Sequence, residues 1–452
     1  MNAKYTRFAK TLQDLFQDTA EKISKKTNFI QRNRKLTAFM WLYVLVMQWL
    51  IYKHLSIGEM ITEFAANDVN ITPQAICKRF GEEKTTVFME QIFLEAMTRL
   101  LEEGSPALLP VSSKFKGIYI GDCSTISLPA DAADLFPGCG SNIGDKGKAA
   151  IKIYCRLEAL CGKIEPLLIA SGKTADQKII QQSSGALPGS LHLHDMGFYN
   201  VERFNQYTQN KVYFISRIPS KKIVFYQDEK YTIGQFVRKF GENQDCIETN
   251  VLLGEQRIPM RLIAIRSPEQ AVNGRLRRMN NKHKKQQSFR GYSGVSDEQK
   301  ECAKWTIFVT NIPDDMCTAD EIYTLYRVRW QIELLFKLWK SEGGLGFSHG
   351  KKGRRCLCEF YAKLIGILIV HWFLLQRGEP LSGYSSTRLF RHVQRQSVFL
   401  SRALASGDLD QIAKTVNQLA KELEAIIGQK PRKGKPSMRD TLKKPVTQPN
   451  TV

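Results

Sequence analysis

Four residues in the run YRVRWQIELLFKLWK carry the densest chemical information in the chain: Tyr326, Arg329, Glu333 and Lys340. They stand three, four and seven positions apart, so on one continuous helix all four project from a single face. Between them Trp330, Ile332, Leu334, Leu335, Phe336 and Leu338 supply an apolar face that packs such a helix onto a core. One carboxylate among two cations and a phenol suits a group that holds a metal ion while its neighbours grip phosphate oxygens. The same pattern also serves a solvated face laced with i, i+4 ion pairs. Two aspartates bear on that choice. Asp122 ends the alternating stretch of KGIYIGDCSTISLP, and Asp195 ends the short apolar run in LPGSLHLHDMGFY. Two Asp on adjacent parallel strands and a Glu on a helix packed across them would converge near the strand ends. Three carboxylates there can hold two divalent cations about 4 Å apart, one activating water or a 3′-hydroxyl and the other stabilising the leaving oxygen of a phosphodiester. Asp122 would bridge both ions, and Asp195 and Glu333 would each hold one. Oxygen-only ligands favour Mg2+, with Mn2+ as the substitute. His192 and His194 share one side of their strand and read as core residues rather than ligands.

The elements that must position these acids follow from the local patterns. Residues 1–105 read as a helical N-terminal domain. Within it Met60–Ala66 and Pro73–Phe80, joined by NDVNIT, have a helix-turn-helix shape with Thr72 as N-cap and Pro73 at the first helical position. If the second helix entered a DNA groove, Gln74, Lys78 and Arg79 would face it; an ordinary helical pair in a bundle fits as well. Residues 106–217 run three strands, helix, strand, helix, strand, with one Asp on the first strand and another at the end of the fourth. That is the first part of a ribonuclease H-like α/β core. Residues 218–317 read mainly as β segments and look like an insertion, and 318–400 form the second part of the core. Within the insertion, NGRLRRMNNKHKKQQSFRGYSG holds Arg277, Arg278, Lys284 and Lys285 and no acid. It reads as a loop that is either simply solvated or a phosphate-contacting arm. A C-terminal helix over 401–429 places Leu409, Ile412, Val416, Leu419, Leu423 and Ile426 on one seam, for packing on the parent domain or for self-association. The stretch 430–452 reads as a basic disordered tail.

Composition narrows the class. The 452 residues include 66 Lys and Arg against 44 Asp and Glu, a formal charge of +22 that draws polyanions, nucleic acid first. Ten cysteines are scattered without a framework, and Cys356 and Cys358 form only a C-x-C, so neither a disulfide scaffold nor a zinc ribbon is expected. A reducing cytoplasm, in association with the nucleoid, fits that usage and the absence of a signal-peptide core in MNAKYTRFAK. Leu36–Tyr52 is almost unbroken apolar sequence, yet shorter than the roughly 20 residues of a membrane span. A buried core helix and no membrane partner are expected.

The residues now resemble a family. Tyr326, Arg329, Glu333 and Lys340 match the Y-(2)-R-(3)-E-(6)-K signature of bacterial insertion-sequence transposases of the DDE type. Asp122 in IGDCSTISLP is similar to that family's first motif, although Cys123 follows where Gly or Ser is more usual, and Asp195 in HDMGFY is similar to its second, D-x-G-[FY]. A β-rich insertion between the second Asp and the Glu is a further mark, and the resemblance spans roughly residues 36 to 376. It implies cut-and-paste transposition: hydrolysis at terminal inverted repeats, then attack of the freed 3′-hydroxyl on target DNA, by a synaptic dimer. It assigns Tyr326, Arg329 and Lys340 to DNA phosphates near the cleaved end. Trp305, in KWTIFVTN on the insertion's last strand, matches the Trp on which some relatives stack a flipped base; a core strand Trp is the other reading. A nuclease on the same fold that cuts without joining and a non-catalytic DNA-binding regulator are the alternatives.

Overall fold

A computed structural model of the chain describes residues 3–31, 36–53, 55–101, 114–139, 148–159, 161–180, 185–290, 295–348, 350–375 and 386–427. The stretch 430–452 expected to be a disordered tail lies outside them. In chain order α1 (Ala3–Asp14) joins α2 (Ala20–Lys26) through a π turn, followed by α3 (Ala38–Tyr52), α4 (Ile57–Ala66), α5 (Pro73–Gly81) and α6 (Glu83–Leu101). Next come β1 (Ile118–Leu128), β2 (Ala149–Glu158), β3 (Ile164–Ser171), α7 (Asp176–Ile180), β4 (Leu191–His194), α8 (Val201–Gln209) and β5 (Tyr213–Arg217). After them stand β6 (Ile223–Tyr226), β7 (Glu229–Thr232), α9 (Ile233–Phe240), β8 (Cys246–Leu253), β9 (Ile258–Arg266), α10 (Glu269–Arg290), α11 (Asp297–Ala303) and β10 (Trp305–Thr310). Helices α12 (Ala319–Arg327), α13 (Trp330–Ser341), α14 (Gly353–Leu375), α15 (Ser386–Ser406) and α16 (Leu409–Ile427) complete the series.

These elements fall into two compact units, one within Met1–Ala107, Cys123–Ser183 and Gln331–Arg439, the other within Leu108–Asp122 and Ser184–Trp330. The first is built on apolar helices. Thr37 caps α3 by accepting the Met40 N–H, and Lys53 closes it in the left-handed region at φ 58. Trp41, Leu42, Val44, Leu45, Val46 and Met47 are all buried, each worth roughly 1.5–3 kcal/mol, which explains why the helix shows no polar face. Helix α14 packs on α3 and α6; Gly353–Phe373 is long and apolar enough to cross a membrane by length and composition, and its 18 residues Cys356–Phe373 are all buried within the fold. The seam of Ile412, Val416, Leu419 and Leu423 on α16 is buried against α1 and α15 of the same chain. Strands β2 and β3 pair antiparallel in this unit, beside the second half of β1.

In the second unit the strand order is β1-β4-β5-β10-β9-β8-β6-β7. β1, β4 and β5 are parallel, and β10 joins β5 antiparallel, pairing Phe308 with Arg217 and Thr310 with Ile215. The strands of 218–317 thus extend the sheet that carries the aspartates, and each of the remaining pairs is antiparallel. One cluster, including Phe204, Phe214, Phe236, Val237, Leu262 and Trp305, forms the core beneath it. The basic run expected as a loop over 273–294 is helical through Arg290 in α10, because Arg, Lys, Gln, Leu and Met are good helix formers and outweigh the single Gly274.

Candidate active site

The two aspartates each lie two residues beyond the last pair of two neighbouring parallel strands, β1 and β4. Ile118 pairs with Leu191, Tyr119 with His192 and Ile120 with Leu193. Strands hydrogen-bonded side by side lie about 4.8 Å apart. Asp122 is within β1, which runs on to Leu128 rather than stopping at the acid, whereas Asp195 follows the end of β4 in extended geometry at φ −76, ψ 167.

Tyr326 reaches the same strand end. Its hydroxyl donates to the carbonyl of His194 at 3.2 Å, one residue before Asp195, and its ring packs on Phe308 of β10 at 4.8 Å between centroids. Burial pushes the phenol's pKa above its usual 10, with the Arg329 charge opposing and the Asp195 charge reinforcing that shift. The Arg329 guanidinium stands 5.7 Å from the Tyr326 ring centroid. This constellation could not be read from spacing alone, since Tyr326 binds a backbone carbonyl that any residue at 194 would present. Phe308 had one available signal, its place in the apolar strand WTIFVT. His192 and His194 are core residues as expected: His194 is buried among Phe204 and Tyr207, and burial drives its imidazole down to about 3.

One expectation is corrected. Tyr326 through Lys340 is two helices, not one, because the amides of Val328 and Arg329 donate to the carbonyls of Leu325 and Tyr326, three residues back instead of four. The shared helical face therefore holds for Glu333 and Lys340 on α13, seven positions and two turns apart, and not for Tyr326 and Arg329. Glu333 and Lys340 lie in the other unit. Lys340 Nζ donates to the carbonyl of Thr125 on β1 at 2.9 Å, and desolvation lowers its pKa. Among the described residues no three His, Cys, Asp or Glu side chains gather closely enough to hold a metal ion together. The carboxylates of Asp122 and Asp195 are hard oxygen ligands, suited in kind to Mg2+ or Mn2+, and so, within its own unit, is that of Glu333.

The outlying candidates separate by exposure. Lys78 is exposed on α5, but Arg79 turns inward to donate to the Phe29 carbonyl at 3.3 Å with its guanidinium 5.5 Å from that ring. Arg277, Arg278 and Lys284 are exposed on α10, and the side chain of Lys285 lies outside the described residues. Trp305 is only 1 % exposed, in the core of the second unit, with the Arg266 guanidinium 4.6 Å from its ring. Of the two readings of Trp305, a platform for a flipped base and a core strand Trp, this burial fits the second.

The transposase DDE domain family matches residues 114–369. The transposase of insertion sequence IS231E of Bacillus thuringiensis subsp. finitimus is 27% identical over 389 residues, 80% of this chain and 78% of that protein. That of IS231B of Bacillus thuringiensis subsp. berliner is 25% identical over 425 residues, covering 85% and 86%, and that of IS1151 of Clostridium perfringens is 24% identical over 391 residues, covering 82% and 80%. A piggyBac transposase in a synaptic complex with hairpin DNA aligns over 93% of this chain and 85% of its own at a TM-score of 0.46 and 10% identity.

Proposed function

The chain belongs to the transposase DDE domain family and is an enzyme of that class, and on that premise we propose that it moves an insertion sequence by cut-and-paste transposition on a ribonuclease H-like core. The observation that supports the reading is that Asp122 and Asp195 each follow by two residues the last pair of β1 with β4, Ile120 with Leu193, and that Tyr326 is bonded to the same end of β4. Asp122, Asp195 and Glu333 would hold Mg2+, or Mn2+ in its place. Bound there, such ions supply Lewis acidity that activates water or a 3′-hydroxyl and stabilises the leaving oxygen.

The chain's own groups do the rest. Tyr326 stays protonated, so its hydroxyl remains a donor and fixes the backbone beside Asp195. Arg329, next to the Tyr326 ring, offers a fork matched to phosphate oxygens, and Lys340 holds α13 to β1 while presenting positive charge. Lys78, Arg277, Arg278 and Lys284 add exposed charge for duplex DNA at the terminal inverted repeats and in the target. The working form is a homodimer that brings two element ends together at the nucleoid.

The test is a joining assay with wild-type protein, a duplex bearing the element's own inverted repeat, a plasmid target and Mg2+. Cleaved ends covalently joined to target through their 3′-hydroxyls are expected. Hydrolysis without joining would make the protein a nuclease, and binding without cleavage in either Mg2+ or Mn2+ would make it a regulator; each overturns the reading.

A further inference from the structure

Helix α15 carries a charge pattern that none of the chemistry above uses. Between positions 388 and 402 its exposed residues are Arg388, Arg391, Arg395, Phe399 and Arg402. They stand three, four, four and three positions apart, so they form one stripe along the helix. The helix, STRLFRHVQRQSVFLSRALAS, contains no acid over its 21 residues. A solvated helix face ordinarily mixes signs in i, i+4 pairs. Here every exposed position in four turns is an arginine except one, and that one is a phenylalanine with 57 % of its surface exposed.

The remaining faces are already occupied. Leu389, Phe390, Val393, Leu400 and Leu404 are buried where α15 packs on α3 and α16. The stripe is also held in place from below. Arg391 donates through Nε at 2.9 Å and its terminal nitrogen at 2.8 Å to the buried Glu342, which also accepts Lys53 Nζ at 2.9 Å. Arg391, then Lys53, hold that carboxyl below its usual range. One anion between two cations leaves the spot positive, and Arg391 keeps 58 % of its side chain exposed. Arg395 and Arg402 form no ion pair among the described residues.

We propose that this stripe is a docking face for the sugar-phosphate backbone of duplex DNA, additional to Tyr326, Arg329 and Lys340. Charge complementarity commits it to that partner. Guanidinium forks match phosphate oxygens, and the stripe spans about 21 Å at about 1.5 Å per residue, the length of about six base-pair steps. Phe399 lies among the arginines, where an exposed ring can pack on deoxyribose or at a groove edge. Contacts to phosphate and sugar carry no sequence information, so a face docked on the backbone binds without regard to sequence. A lipid surface is the poorer match, because the apolar face that would enter it is buried in the fold. The inference rests on the functional reading above, in that the ligand is DNA.

The test uses the full-length protein and the double variant Arg395→Gln/Arg402→Gln, both positions being exposed and outside the core. Affinity is measured by fluorescence anisotropy on an inverted-repeat duplex and on an unrelated duplex over a salt series. The variant is expected to bind both at least about tenfold more weakly near 0.1 M salt, with the slope of log K against log salt reduced by about 2, roughly 0.9 for each lost phosphate contact. Wild-type binding matched by the variant in affinity and slope overturns this inference and leaves the transposase reading standing. A wild-type protein that binds neither duplex overturns both. A variant that loses only co-sedimentation with phosphatidylserine-containing vesicles assigns the stripe to lipid and overturns the proposal for DNA.

Discussion

The Tyr326 hydroxyl is a protonated donor aimed at the carbonyl that precedes Asp195, and its burial makes that state durable. Tyr326→Phe removes the donor and leaves the His194 carbonyl short of a partner, so a loss of roughly 1–2 kcal/mol in urea denaturation is expected, together with slower cleavage. Because burial raises this phenol, its ultraviolet tyrosinate transition, taken as the difference between wild type and Tyr326→Phe, is expected above pH 10; a difference transition below pH 10 contradicts the buried placement. The identities of Tyr326, Arg329, Glu333 and Lys340 were legible because four residue types at fixed spacing constitute a signal by themselves. Their partners were not. Tyr326 and Lys340 both bind main-chain carbonyls, at His194 and Thr125, and a carbonyl leaves no trace in the sequence.

Two buried cations fix the segments that lead into and out of α12 and α13. Arg261 on β9, 6 % exposed, donates to the carbonyls of Ile312, Pro313 and Cys317 at 2.8 to 3.2 Å and pairs with Glu248, so it clamps the turn before α12. Arg261→Met strands three carbonyls, and a loss on the order of 3 kcal/mol is expected by chemical denaturation, with Arg261→Lys restoring only part because an ammonium lacks the fork. Lys363 on α14 donates to the carbonyls of Gly344 and Phe347, holding the turn after α13, and burial pushes it from 10.5 down to about 8. Between those two values the unfolded chain binds the proton that the folded chain has released, so stability rises with pH across that window. Lys363→Met is expected to flatten the rise between pH 8 and 10 in thermal melts; an unchanged slope contradicts the burial. At this scale the sequence was legible where one force dominated. The apolar run of α3 read as a core helix, and the alternating runs read as strands. Where forces competed it was not: the basic run of α10 forms a helix despite its like charges, and the chain breaks at Val328 and Arg329 inside a pattern that reads as unbroken. Nor could alternation in 218–317 say that those strands would extend the parallel strands through β10 rather than stand apart.

For the whole molecule the formal charge of +22 sets the terms of association. Binding to duplex DNA is expected to weaken steeply with salt, and a protein making six to ten phosphate contacts loses about 10³–10⁵ in affinity between 50 and 200 mM. Affinity flat across that range contradicts an electrostatic interface. Composition made the polyanion partner legible but not the location of the charge, since the arginine stripe of α15 becomes visible only when burial separates its exposed positions from the packed ones. The central claim is that Asp122, Asp195 and Glu333 act together on one phosphodiester. The most direct measurement is the single-turnover rate of cleavage at the element end by Asp122→Asn, Asp195→Asn and Glu333→Gln, each at saturating DNA and with binding verified. The account predicts that each near-isosteric change lowers the rate by about a thousandfold or more, with DNA affinity kept within a few-fold. Wild-type cleavage rates in any of the three would contradict it.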